Sequence, residues 1–400
     1  MSNVKVSVII PFYNGGEYAN ATMNALSAQT LRDIEIICVD DESTDDTYNH
    51  LIEFSKIDNR VSVYKQKKAN AGAARNLGLQ HAKGEYLLFL DSDDLYESDL
   101  LEKLYTEAKD KDADICVCDA DQYNVVSGEY ITKPQYLRRK FVPEQLPFSR
   151  ETIGEYILYF TNSAPWNKMV KREFMQQHHI SFQEIARAND QYFSIMCLML
   201  AERITVVKER LVHYKVNQEQ NLTAKYSETP LCSYEAMLKV KEALQECGLL
   251  NQPDVRKAFD NKILNLFLYS LHIQNDLDAF CELYNAMKVE GFEKLDFSIR
   301  DEEYYFSKLE YQNLCYITQC SAQEYLLTKT IEYRDTIARK NTFIKDCNKE
   351  IAKLQKEIER LEKKEKELTH IKSTKRYKVI WKLSSYASKL LGRGKKKGNE

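Results

Sequence analysis

The first third of the chain alternates apolar runs with amphipathic stretches. The segments "VKVSVIIPFY", "IEIICVDD", "VSVYKQ", "YLLFLD" and "ADICVCDAD" are apolar, and residues 19–30, 45–57, 71–82 and 98–110 between them carry helical spacing. Strands separated by helices of this length predict right-handed βαβ units and a parallel sheet. Leu87, Leu88, Phe89 and Leu90 do not alternate with polar residues, so their strand should be buried on both faces. In such sheets ligands bind beyond the carboxyl ends of the strands, and Asp40, Asp41, Asp91 and Asp93 all fall there.

The pattern then changes twice. Residues 121–225 mix short elements, and 228–320 read as mostly helical, with clusters such as "NKILNLFLYSLH". From 331 to 370 a heptad emerges: Ile337, Ile344, Ile351 and Ile358 recur every seven residues, with Leu354, Leu361 and Leu368 at the complementary position. Lys340 and Cys347 are imperfect members. Ile at one seam position and Leu at the other favours a parallel two-stranded coiled coil, and hence a homodimer; a single solvated helix is the competing reading. In the tail, Lys375, Lys378, Lys382, Lys389 and Arg393 form one basic stripe, while Tyr377, Val379, Ile380, Trp381, Leu383, Leu390 and Leu391 cover most of the rest. Such a helix suits the interface of an anionic membrane, or packs on a protein body and exposes its lysines.

Composition sharpens this division. A chain of 400 residues with 44% hydrophobic positions predicts two or three domains. The net charge of −3 hides an asymmetry: residues 371–400 hold ten Lys and Arg against one Glu, a net +9, which leaves −12 on the rest. An acidic body argues against nucleic-acid binding, and the basic tail argues for a local anionic surface. The ten cysteines are scattered without a CxxC pair, which predicts buried thiols in a reducing compartment. No charged-then-apolar leader and no apolar run long enough to span a bilayer are visible, so a cytoplasmic location is expected.

Three aspartates in four positions, Asp91, Asp93 and Asp94, raise each other's pKa unless a cation sits among them. An EF-hand loop fails, because Tyr96 stands where Gly is needed and Leu95 where an oxygen ligand is needed. A metal site and a helix turn capped by Ser98 or Asp94 both remain open on this segment alone. Elsewhere, small residues at 71–74 would let backbone approach a ligand closely, and Arg75 adds a fixed positive charge.

The order and spacing of "VSVIIPFYN", "VDDESTDDT", "NAGAARNLGL", "GEYLLFLDSDD" and "APWNKMVKREF" resemble the family 2 inverting glycosyltransferases over about residues 4–225. The resemblance implies a GT-A catalytic domain: a Rossmann-like, mostly parallel sheet flanked by helices. Its nucleotide-sugar-binding half would span 1–120 and its acceptor half 121–227. A helical region (228–320), a coiled coil (321–370) and a basic amphipathic tail (371–400) would follow. It also implies a nucleotide-sugar donor, usually a UDP-sugar, and Mn²⁺ or Mg²⁺. Asp40 or Asp41 would bond the base or ribose, and Asp91-Ser92-Asp93 would be the DxD motif, with Asp93 the direct metal ligand. Pro11, Tyr13, Ala71 and Arg75 would join the donor site, His213 would reach the metal or diphosphate, and Trp166, Asn167 and Lys168 would line the acceptor side. Bottom-up chemistry agrees, since a hard divalent cation offsets the charge developing on a nucleoside diphosphate leaving group.

The base matching the family pattern is Asp190, with Glu184 as fallback. Two departures accompany it. Asn189 stands where the family usually has Glu, although Asn could still cap the helix and contribute to the acceptor side, and "IARA" lacks the usual glycine or acid. Glu42 replaces a family glycine, which questions the backbone of that turn. The expected function is sugar transfer to a glycan or lipid-linked acceptor at the inner face of a membrane. The alternatives are a nucleotidyltransferase, whose basic glycine-rich loop "PFYNGGEY" does not supply, and a non-catalytic platform with a degenerate domain.

Overall fold

The computed structural model describes residues 4–67, 70–217 and 227–393. The chain divides into two compact units, Met1–Gln323 and Glu324–Glu400.

The first unit is built on a nine-stranded sheet. Its first half is the expected βα repeat: β1 (Val6–Phe12), α1 (Gly16–Ser27), β2 (Ile34–Asp40), α2 (Thr47–Ile57), β3 (Val61–Lys65), α3 (Ala71–His81) and β4 (Tyr86–Phe89). A short β5 (Leu95–Tyr96), α4 (Leu100–Asp110) and β6 (Ile115–Asn124) follow. All four residues of β4 are buried, as its unbroken apolar run requires. The strand ends at Phe89, short of the predicted Asp91, which frees the aspartates to form a turn.

The second half supplies β7 (Glu129–Thr132), α5 (Arg150–Ile153), β8 (Lys168–Lys171), α6 (Arg172–Gln177), α7 (Asp190–Leu200) and β9 (Ile204–Val216). Strand order is β3-β2-β1-β4-β8-β6-β9-β5, with β7 beside β6. The β3-β2-β1-β4 segment and the β6-β9 pair are parallel. β8 enters antiparallel to both β4 and β6 and so joins the two halves. That insertion brings the segment before β8 alongside the end of β4, where the aspartates lie.

The helical region holds α8 (Cys232–Glu246), α9 (Pro253–His272), α10 (Leu277–Ala286), α11 (Phe292–Lys294) and α12 (Lys308–Gln319). α9 begins with Pro at its first position, where no backbone donor is lost. It buries Val255, Phe259, Ile263, Phe267 and Leu271 along one side and packs on the turn at residues 154–158.

In the second unit, α13 (Ala322–Ser373) is one helix of 52 residues, followed by α14 (Lys375–Arg393). The seam residues Ile337, Ile344, Ile351, Leu354, Ile358, Leu361 and Leu368 are each between 51% and 58% exposed. Among the described residues nothing buries that stripe. On α14, Val379, Ile380, Trp381 and Leu383 are likewise exposed. The side chains of Lys389, Leu390, Leu391 and Arg393, and residues 394–400, lie outside the described residues, as do 218–223 of "VHYKVNQEQNLT". Among the described residues no helix is long and apolar enough to cross a membrane.

Candidate active site

The loops following β1 and β2 are laced together. Asn14 donates its backbone N–H to the Ser43 hydroxyl at 3.0 Å, and its Oδ1 accepts from the Thr44 backbone at 2.8 Å. Gly15 N–H donates to the Thr47 hydroxyl at 2.8 Å. This turn requires left-handed backbone: Asn14 has φ +47° and Glu42 φ +63°. Glu42 therefore adopts the conformation for which its family relatives use glycine and bears the Cβ strain. Pro11 is half-buried at the end of β1 and Tyr13 is exposed beyond it. Asp40 is wholly buried, both carboxylate oxygens lack a hydrogen-bond partner, and Lys65 approaches it at 3.6 Å. Asp41 accepts from the Gln66 amide, and burial raises its pKa.

The aspartate knot sits in the turn between β4 and β5. Arg75 of α3 donates to Asp91 Oδ1 at 2.6 Å. Burial, then the Asp91 charge, push Asp93 up to about 6. Asp94 accepts from the Lys215 backbone at 3.0 Å, and its other oxygen is buried without a partner. The capped-turn reading fails: α4 starts at Leu100, its N-cap is Asp99, and neither Ser98 nor Asp94 caps it. Ser92 contributes its carbonyl to the Thr22 hydroxyl at 2.6 Å.

The residues present fit a divalent cation in a restricted sense. Among the described residues no group of three or more His, Cys, Asp or Glu side chains converges on one point. A cation that shares its coordination with a diphosphate needs only one or two carboxylates, and Asp91 and Asp93 are such a pair, with burial and the Asp91 charge making Asp93 resist ionisation. His213 is a correction to the expected ligand set. Its Nδ1 lies 2.6 Å from Asp121 and its Nε2 3.1 Å from Glu97, so both ring nitrogens are already engaged.

Asp190 is the first residue of α7, where the helix dipole favours its charged form. Burial raises its pKa, while Arg75 and Lys262 oppose the rise. The preceding Ala188 has φ +54°, again a left-handed residue where the family usually has glycine or an acid. Asn189 does not cap α7 as expected; its Oδ1 accepts from Arg75 at 2.8 Å instead. Gly72 explains the close approach of α3 to this segment, since a Cβ there would lie 2.0 Å from the Gln183 carbonyl and 3.0 Å from Asn189 Cβ. The small residue at 72 thus packs against protein, whereas Ala71 faces the open site. Glu184 is exposed and lies outside the cavity that Asp190 lines.

That cavity, about 700 Å³, brings together Ala71, Arg75, Asp91, Trp166, Asn189 and Asp190. Pro11, Tyr13, Asp40, Asp41, Ser92, Asp93, Asn167, Lys168 and His213 do not line it. Asn167 and Lys168 are wholly buried, which corrects their expected contact with the acceptor. The Lys168 ammonium donates to the carbonyls of Asn162 and Ala164 and to Asn167 Oδ1, each at 2.8 Å, and burial pushes it down to about 7. Asn167 donates to the Cys118 carbonyl at 3.1 Å. Together they shape the 162–166 loop, and Trp166 alone of the three faces the cavity, flanked by Tyr136 and Tyr214.

The opposite wall went unforeseen. Lys262, Asn265 and Tyr269 of α9 line the same cavity, as do Gln191 of α7 and Arg138. Their spacing along α9 shows a polar face, but a polar face alone reads as solvent-exposed; only the placement of α9 against the catalytic half makes it a wall.

The model of the family "Glycosyl transferase family 2" matches residues 7–178. EpsH of Bacillus subtilis is 30% identical over 266 residues, which cover 62% of this chain and 72% of that one. The glycosyltransferase GlyG of Streptococcus pneumoniae is 31% identical over 217 residues, 52% of this chain and 70% of that one. The crystal structure of a Staphylococcus aureus TarS fragment in complex with UDP-GlcNAc superposes with a TM-score of 0.62 at 21% identity, covering 83% of this chain and 92% of that one. This likeness extends the shared fold past the catalytic half into the helical region. The curled, mainly parallel sheet with its helices is a GT-A-like domain, and the chain belongs to glycosyl transferase family 2.

Proposed function

We propose that the chain is a metal-dependent inverting transferase that moves a hexosyl or N-acetylhexosaminyl group from UDP to a hydroxyl of a glycan or lipid-linked acceptor. The observation that carries this reading is the single cavity in which Asp91 and Asp190 meet, with Arg75 between them. Asp190 takes the proton of the acceptor hydroxyl, whose oxygen attacks the anomeric carbon as the bond to the nucleotide phosphate breaks. Attack opposite the leaving group inverts the configuration. Asp93 and Asp91 would hold Mn²⁺ or Mg²⁺, which when bound supplies positive charge to the departing diphosphate. Asp40, buried without a donor, is suited to accept a hydrogen bond from the base or ribose, and Trp166 offers a face to a sugar ring. The UDP-GlcNAc complex of TarS supports UDP as the nucleotide.

Two observations support this reading over a non-catalytic platform: Asn189 is held by Arg75, and Glu42 adopts the glycine-like turn. The exposed seam of α13 favours a homodimer, and the exposed apolar face and lysines of α14 favour a peripheral position on the cytoplasmic face of an anionic membrane.

The test is donor hydrolysis and thermal shift with UDP-sugars, with and without Mn²⁺. Stabilisation by UDP-GlcNAc that needs Mn²⁺ and disappears in Asp93→Ala, with hydrolysis lost but binding kept in Asp190→Asn, is the expected result. Full hydrolysis by Asp190→Asn would remove that residue from the base role.

A further inference from the structure

One cation of the cavity stands apart from the groups assigned to the donor. Lys262, on α9 in the helical region, lines the same space as Asp190 and Trp166. Among the described residues its ammonium makes no hydrogen bond and no ion pair. The other cations on these walls are engaged: Arg75 by Asp91 at 2.6 Å, Arg138 by the Tyr159 carbonyl at 2.5 Å and the field of Glu310, and Arg187 by the Thr229 hydroxyl at 3.1 Å. The one negative charge acting on Lys262 is that of Asp190 across the cavity, beyond ion-pair distance; Arg138 repels it, and Asp190 must give up its charge when it accepts a proton.

Building on the transferase reading, we propose that Lys262 forms an oxyanion subsite of the acceptor pocket and selects acceptors that carry a phosphate or carboxylate beside the reacting hydroxyl. An unpaired ammonium in a half-enclosed cavity is costly, and burial draws it down to about 8. An acceptor oxyanion would offset that cost, and would do so on the acceptor side of the base, away from the diphosphate held at Asp91. The helical region thereby gains a role: α9 presents the residue that distinguishes charged from neutral acceptors, while the GT-A half performs the chemistry.

The test uses the full chain saturated with UDP and Mn²⁺, so that the diphosphate site is filled. Glycerol 3-phosphate, glucuronate and glycerol are titrated by calorimetry into wild type, Lys262→Met and Lys262→Arg. The expected result is that at least one anion binds wild type about tenfold or more tightly than glycerol does, that the Met variant loses this preference, and that the Arg variant keeps it. Which anion binds separates phosphate from carboxylate acceptors. Equal binding of glycerol and both anions, or anion binding unchanged in Lys262→Met, overturns the subsite. A Met variant that shifts only the pH profile of donor hydrolysis would make Lys262 a partner of Asp190 alone and also overturns it. Failure of UDP itself to bind wild type is a separate outcome, which overturns the transferase reading and this one with it.

Discussion

Arg75 donates to Asp91 at 2.6 Å and to Asn189 at 2.8 Å, joining the acidic turn after β4 to the start of α7. One guanidinium reaches both through separate nitrogens, a geometry that a single ammonium does not reproduce. Arg75→Lys should therefore lower donor hydrolysis by about tenfold or more while the protein melts as a folded chain. Steady-state rates and circular dichroism check this; wild-type turnover in the Lys variant would show that the bridge is dispensable.

Glu42 and Ala188 hold left-handed backbone without being glycine. Glu42→Gly and Ala188→Gly should each stabilise the protein by about 0.5–1 kcal/mol, because relief of the Cβ clash exceeds the added freedom of the unfolded chain. Gly72→Ala should do the reverse, by more than about 2 kcal/mol, because its Cβ would meet a backbone carbonyl at 2.0 Å. Urea midpoints of the three variants measure both signs.

Asp190 is competent as a base only when ionised, and burial raises its pKa above the ordinary carboxylate range. Hydrolysis of a UDP-sugar should fall as pH drops through that raised value. The stability effect has the opposite sense: a raised folded-state pKa means stability is lost as pH rises through it, so Asp190→Asn should stabilise the chain more at pH 8 than at pH 4. Melting curves at the two pH values check this, and an equal effect at both would leave Asp190 without a perturbed pKa.

Lys168 binds three oxygens beneath the loop that carries Trp166. Lys168→Met should cost about 1–3 kcal/mol by leaving those acceptors unpaired. On the proposed reading, in which Trp166 serves the acceptor, it should also weaken acceptor use more than UDP affinity. Equal losses in both would make Lys168 part of the donor site instead.

The seam on α13 is exposed in the single chain. The full chain should sediment as a dimer and a chain ended after Ser321 as a monomer; a truncated dimer would place the interface elsewhere.

Much of the catalytic half was legible because its signals are local. Strand–helix alternation predicted β1 to β4 with their helices, and the position of Asp91 and Asp93 after a doubly buried strand follows from period and charge alone. Asp190 could be singled out by resemblance, yet its neighbours could not. Asn167 and Lys168 stand next to Trp166 in sequence, but burial and hydrogen bonds to surrounding carbonyls hold both inside the protein, and only Trp166 faces the cavity. His213 looks free in sequence and is clasped by Asp121 and Glu97 once β9 pairs with β6 and β5. Residue type, period and motif order belong to the chain by itself. Which polar groups remain unpaired, and that α9 lines the cavity of Asp190 with Lys262, depend on contacts between residues distant in sequence, and these exist only in the folded molecule.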